Sequence, residues 1–134
     1  MSRSISWILE YTSKLPNKQE KIKCLQANQS VTIPVLKYTF DPNIEWVLPE
    51  GNPPYRPNSE ALPTDMYKEL RKLYIFIKGG NDNVPQLKRE SLFVDMLESV
   101  PADDAELLLS MKARKIPFKG ITKKLALEAF PDLF

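Results

Sequence analysis

The apolar residues of this chain recur at three- and four-residue intervals almost from end to end. That spacing collects them on one side of a helix, so most segments must bury a helical stripe rather than a sheet face. In "PTDMYKELRKLYIFIKGG", Met66, Leu70, Leu73 and Ile77 form one stripe, which Tyr67 and Tyr74 widen, while Lys68, Glu69, Arg71 and Lys72 take the other side. Pro63 suits the opening of this helix, and Gly79-Gly80 supplies a left-handed stop. Upstream, Ile5, Ile8, Leu9 and Thr12 predict a first helix that Pro16 ends. Asn17 as N-cap, with Glu20 three residues on, predicts a capping box at the start of a second helix over "NKQEKIKCLQAN". Phe93, Met96, Leu97 and Val100 form the stripe of a further helix. Pro101, Asp103 and Asp104 suit the N-terminus of the next, which carries Leu107, Leu108, Leu109 and Met111. The last helix starts near Thr122 and presents Ile121, Leu125, Ala129 and Phe130.

Two stretches depart from this pattern. "SVTIPVLKYTF" is rich in β-branched residues, but Pro34 argues against a central strand, so the segment reads as helix or mixed. From Pro42 to Pro63, above all in "LPEGNPPYRPNSEALP", the prolines predict an extended, partly rigid loop. A loop of this length is usually functional or mobile. At 134 residues the chain has room for one core. The expectation is an all-α single domain over residues 1–134, a bundle of about six to seven helices with a proline-rich loop at 49–63.

Composition excludes much of enzyme chemistry. There is no histidine, which removes the commonest general base and the commonest metal ligand together. Walker loops, dinucleotide-binding glycine motifs and Cys/His clusters are all missing. Asp103 and Asp104 read as first-turn residues rather than as an acid and base pair, and no carboxylates cluster in the manner of a magnesium site. The expectation is a non-enzyme with no cofactor and no metal. Cys24 is the only cysteine and lies in an apolar-periodic stretch, which suits a core or boundary residue in a reducing compartment. "MSRSISWILEYTSK" has neither a long apolar run nor a small-residue cleavage site, and no stretch approaches the length of a membrane span. A soluble, intracellular chain is expected.

With 19 basic and 17 acidic side chains, bulk charge says little, and any taste for a polyanion must come from arrangement. One window stands out: "KARKIPFKGITKK" places six cations in thirteen positions with no acid. A glycine followed by a helix start lets backbone approach a phosphate, and helix N-termini carry free amides. The candidate phosphate-binding residues are therefore Lys112, Arg114, Lys115, Lys119, Gly120, Thr122, Lys123 and Lys124. From the window alone, a solvated corner that merely keeps the chain soluble weighs as much. Trp7, Trp46, Tyr55 and Tyr67 are able to stack on bases, but no alternating basic and aromatic stripe stands out, and core packing is the better reading for most. Tyr55, beside Arg56 in the proline-rich loop, is the one expected to be exposed.

Two resemblances add to this reading. "WVLPEGNPPY", "ELRKLYIFIKGGN" and "KGITKKLALEAFPDL" resemble a family of small helical proteins of T-even-like tailed phages of the cyanophage type, over nearly the whole chain. That family carries no established function. The order of elements also resembles the N-terminal DNA-binding domain of phage ATP-dependent DNA ligase. "ISWILEYTSKLPNKQEKIKCLQAN" matches its opening helices, and "LLLSMKARKIPFKGITKKLALEAFPDL" matches its basic helix, glycine turn and closing helix. The resemblance implies a grip on duplex DNA phosphates through Lys119, Gly120, Thr122 and Lys123, with Lys115 as a neighbour. The proline loop has no counterpart there, and the adenylated lysine in its Lys-x-Asp-Gly setting is absent, so ligation is not implied.

The leading expectation is a non-catalytic module that binds duplex DNA in the host cytoplasm during phage replication, repair or transcription. The alternative is a module that docks a host or phage replication or transcription protein. Its candidate residues are Tyr55 and Arg56 in the loop, or Asp132, Leu133 and Phe134 at the C-terminus. Against the second set stands a simpler role, in which Leu133 and Phe134 close the core.

Overall fold

Residues 3–134 are described by a computed structural model in which seven α-helices and one 3₁₀ helix follow one another along the chain. The helices are α1 (Ile5–Ser13), α2 (Lys18–Ala27), α3 (Gln29–Phe40), α4 (Pro63–Glu69), α5 (Gln86–Leu97), α6 (Ala102–Lys112) and α7 (Lys123–Ala129), with the 3₁₀ helix Leu70–Phe76 continuing α4. Among the described residues no strand forms, only two isolated bridges, Trp46 with Ile77 and Asn58 with Pro101. The chain is an all-α single domain, as the apolar spacing predicts.

The architecture is built around α6. Ala105, Leu107, Leu108, Leu109 and Met111 are all buried, so this helix is covered over more than half of its circumference and belongs at the centre. It packs against α1, α3 and α5, whose stripes (Ile5 and Leu9, Val35 and Leu36, Phe93 and Leu97) close over it. Phe76 and Phe93 meet edge to face across this core at 5.2 Å. On the far side, α7 lies against α2, and the Gln26 amide donates to Ala129 O at 2.9 Å.

Helix starts follow the sequence signals closely. Ser4 accepts from the Trp7 amide, Asn17 from Glu20 and Thr122 from Leu125. At Asn17 this is the half of the capping box that forms; the Glu20 carboxylate makes no return bond there. Pro63 occupies the first turn of α4, and the Asp65 carboxylate accepts from the Leu62 amide at 2.8 Å. "SVTIPVLKYTF" resolves to helix, with Pro34 inside α3. Pro34 lacks the amide that would bond Ser30 O, and Ser30 is exposed, so water can take up that carbonyl.

The stripe through Ile77 ends earlier than its periodicity predicts. The helix tightens at Leu70 and stops at Phe76, because the proline-rich segment takes over the backbone bonds beyond it. The Val47 amide donates to Phe76 O at 2.8 Å and the Lys78 amide to Glu45 O at 2.9 Å. Gly79-Gly80 therefore turns an extended chain rather than a helix end. A Cβ on Gly80 would fall 1.8 Å from Tyr74 O, so no other residue fits this return. Two cations serve as internal braces. Arg89 is buried and donates to Ile75 O, Asn81 O and Gln86 Oε1, tying the loop before α5 to its first turn. Arg114 does the same between α6 and α3.

Candidate functional site

The basic window divides into two groups once folded. Lys112 turns towards the proline-rich loop, where its ammonium donates to Pro49 O at 2.8 Å and to Gly51 O at 2.7 Å. Partial burial there holds its pKa below the ordinary lysine value, against the pull of Glu50. Arg114 follows α6 in the left-handed region at φ 68°. The Arg114 amide bonds Met111 O and the Lys115 amide bonds Ser110 O, closing a Schellman turn with arginine where glycine is usual. Its guanidinium donates to Tyr38 O and Asp41 O at the C-terminus of α3, where cations are favoured. Both residues spend their donors on the protein's own carbonyls. Lys115 is exposed and is not among the residues that line the two grooves at Gly120.

The second group converges on Gly120. Lys14 arrives from the end of α1, Lys18 and Lys21 from the first turns of α2, Lys119 from the turn before α7 and Lys124 from its first turn. Glu10, Ser13, Lys14, Lys21, Phe118, Lys119 and Gly120 line one open groove. Asn17, Lys18, Lys21, Gly120, Thr122, Lys124 and Glu128 line a second, and the two share Lys21 and Gly120. Gly120 is placed by the turn, with φ +93°, and a Cβ there would lie 3.1 Å from Lys21 Nζ. The positive φ calls for glycine here, and the Lys21 ammonium lies close beside its bare backbone.

The electrostatics of this groove are lopsided. Lys18 pairs with Glu128 at 2.9 Å, an exposed contact of small worth. Among the described residues, Lys14, Lys21, Lys119 and Lys124 form no salt bridge; the two grooves hold Glu10 and Glu128 as their only acids. Four ammonium groups without a paired acid, lining two grooves that share Gly120, repel each other. An arrangement of that kind raises the local concentration of anions. Thr122 lies in the same groove, with its hydroxyl oxygen already engaged by the Leu125 amide at 3.2 Å. The helix that follows has only seven residues, so the lysines rather than a helix end dominate the field. Lys123 points elsewhere, with its ammonium 5.5 Å from the Phe134 ring centroid.

Sequence spacing identifies Lys119, Gly120, Thr122 and Lys124 for this groove and misses Lys14, Lys18 and Lys21. Those three are spread over α1 and α2, and the packing of α1 on α2 and of α2 on α7 delivers them. Of the residues of the protein-docking alternative, Tyr55 and Leu133 turn inward, while Arg56, Asp132 and Phe134 are exposed. Tyr55 is half-buried against the core rather than exposed, and burial raises its hydroxyl pKa, with Glu106 adding to the rise. The Arg56 amide is held by Glu98 Oε2 at 2.7 Å. Leu133 is buried in the core, its carbonyl accepting from Lys37 at 3.2 Å, while Phe134 is 37% exposed and Asp132 is exposed. Among the described residues no group of three acids or cysteines converges as a metal site would, and no helix is long and apolar enough to cross a membrane.

The chain belongs to a family of unknown function, DUF6433, whose profile matches residues 8–117. That span includes Lys14, Lys18 and Lys21 and ends just before Lys119. No curated protein and no solved structure matches the chain.

Proposed function

We propose that this protein is a non-catalytic phage module that grips DNA through its phosphates, with little sequence specificity, in replication, repair or transcription. The observation that carries the reading is the convergence of Lys14, Lys21, Lys119 and Lys124, none of them in a salt bridge, on the bare backbone of Gly120. Phosphate contacts of this kind hold a nucleic acid in register without reading its bases. Both grooves are open to solvent, which suits a backbone lying across the surface better than an enclosed small molecule. The likeness of the closing segment to the DNA-binding domain of phage ligases, read from the order of its elements, points to the same partner. The protein-docking alternative is weaker, because Tyr55 and Leu133 face inward.

Affinity for a duplex should fall steeply with salt, by about 0.9 in log K per unit of log salt for each phosphate held. Four lysines would give a slope of about −4. The test is a gel-shift or anisotropy titration at two salt concentrations with the wild type and with Lys21→Glu/Lys119→Glu. Both positions are outside the core, so the variant should fold. We expect it to lose at least ten-fold in affinity at low salt and to show a shallower salt slope. Absence of DNA binding at low salt, or binding that the double variant leaves unchanged, overturns the reading.

A further inference from the structure

Large aromatic rings are seldom left in solvent, yet α1 turns two of them outward. Trp7 is 39% exposed and Tyr11 is 49% exposed. Their rings are stacked, with centroids 5.2 Å apart and planes 14° from parallel. The Arg3 guanidinium lies 4.5 Å from the indole centroid. The Tyr67 hydroxyl donates to Arg3 O at 2.7 Å, which holds that residue beside the ring. Guanidinium, indole and phenol thus form a column along the outside of the helix.

This column leads into the lysine groove. At about 100° per residue, Trp7, Tyr11 and Lys14 fall within an arc of about 60°, turned away from Ile5, Leu9 and Thr12, and Arg3, just ahead of the helix, lies over the indole. Lys14 follows Trp7 by about 10 Å along the axis and lines the groove around Gly120. Glu10 lies beside this arc and is the one acid lining the same groove. A basic and aromatic stripe is therefore present, hidden in the sequence because its members are spaced for a helix rather than alternating. Neither ring belongs to the core cluster, so the column is not there to fill the interior.

We infer that the Arg3–Trp7–Tyr11 face of α1 is a base-stacking platform continuous with the lysine groove, and that the preferred substrate is DNA with unpaired bases. The inference rests on the reading of the groove as a phosphate site. Blunt duplex hides the faces of its bases and would use the lysines alone. A single strand or overhang lying in the groove brings a base against the outer face of Tyr11, the open end of the column, within the reach of one or two nucleotides. Stacking of this sort accepts any base, which fits a site with no pattern of base-reading donors. Arg3 over the indole holds the column in place before the base arrives.

The test compares a thymidine oligonucleotide with a blunt duplex of equal length, by tryptophan emission and by anisotropy. We expect the single strand to quench emission and to bind more tightly than the duplex. The quenching should vanish in Trp7→Phe, which leaves Trp46, bonded through its indole to Tyr38 O, as the remaining tryptophan. Tyr11→Ala should weaken single-strand binding by roughly ten-fold and leave duplex binding unchanged, and Tyr11→Phe should restore it. If duplex binding is retained while the single strand gives no quenching, or if Tyr11→Ala alters both ligands alike or neither, the platform is overturned and the phosphate reading stands. If neither ligand binds at low salt, the phosphate reading fails and the platform fails with it.

Discussion

Asp104 lies where two helices begin, and its chemistry follows from that position. As a first-turn residue of α6 it suits that helix's free amides, yet it is fully buried and accepts from the Ser6 amide at the start of α1 at 2.8 Å. Among the described residues its second oxygen has no partner. Burial pushes its pKa from 3.8 up to about 7, with Asp103 adding to the rise and the Ser6 and Ile5 amides opposing it. Between those two values the folded protein keeps a proton that the unfolded chain releases. Stability from this group is therefore greatest in acid, falls as pH rises through that window, and is level above it. The full difference is on the order of 4 kcal/mol. Asp104→Asn keeps an acceptor for Ser6 and removes the titration. Urea denaturation from about pH 5 to about pH 8 should show the variant gaining on the wild type as pH rises. Parallel stabilities across that range would mean the carboxyl is ionised in the fold. The sequence places Asp104 in a first turn correctly and says nothing of its burial, since the helix that covers it lies 98 residues upstream.

Among the elements, the end of α6 shows how a local rule is broken for a tertiary gain. A left-handed arginine costs about 1–2 kcal/mol where glycine costs nothing. The compensation is the pair of bonds that the Arg114 guanidinium makes to Tyr38 O and Asp41 O, which joins α6 to the last turn of α3. Arg114→Ala keeps the strain and loses the bonds, and should cost about 2–4 kcal/mol in thermal or urea unfolding. Arg114→Gly loses the bonds but relieves the strain, and should be the more stable of the two by about 1 kcal/mol. If alanine and glycine behave alike, the turn is not left-handed in solution. Helix beginnings at Asn17, Pro63, Pro101 and Thr122 are legible because caps and early prolines act within one turn. The early end of the α4 segment is not, because Glu45 and Val47 compete for its backbone from a distant loop.

For the molecule as a whole, the C-terminal residues close the core and bring the two halves of the groove together. Leu133 is 5% exposed, and α7 just before it presses Lys119, Gly120 and Lys124 against α2. Deleting Pro131–Phe134 should therefore cost about 2–4 kcal/mol, the range for losing a buried leucine, and a thermal melt will show it. An unchanged melting temperature would make the tail a surface segment after all. By itself, the sequence determined the fold class, most helix starts, the proline-rich loop and the glycine turn before α7. Each of these is set by spacing, caps or backbone restriction within a few neighbouring residues. Only the tertiary structure decided which cations are free. It turned Lys112 and Arg114 inward onto carbonyls and brought Lys14, Lys18 and Lys21 to Gly120. Charge acts through space, and a lysine's neighbours are chosen by how helices pack, so the basic window in the sequence held Lys119, Gly120, Thr122 and Lys124 but not the lysines that join them from α1 and α2.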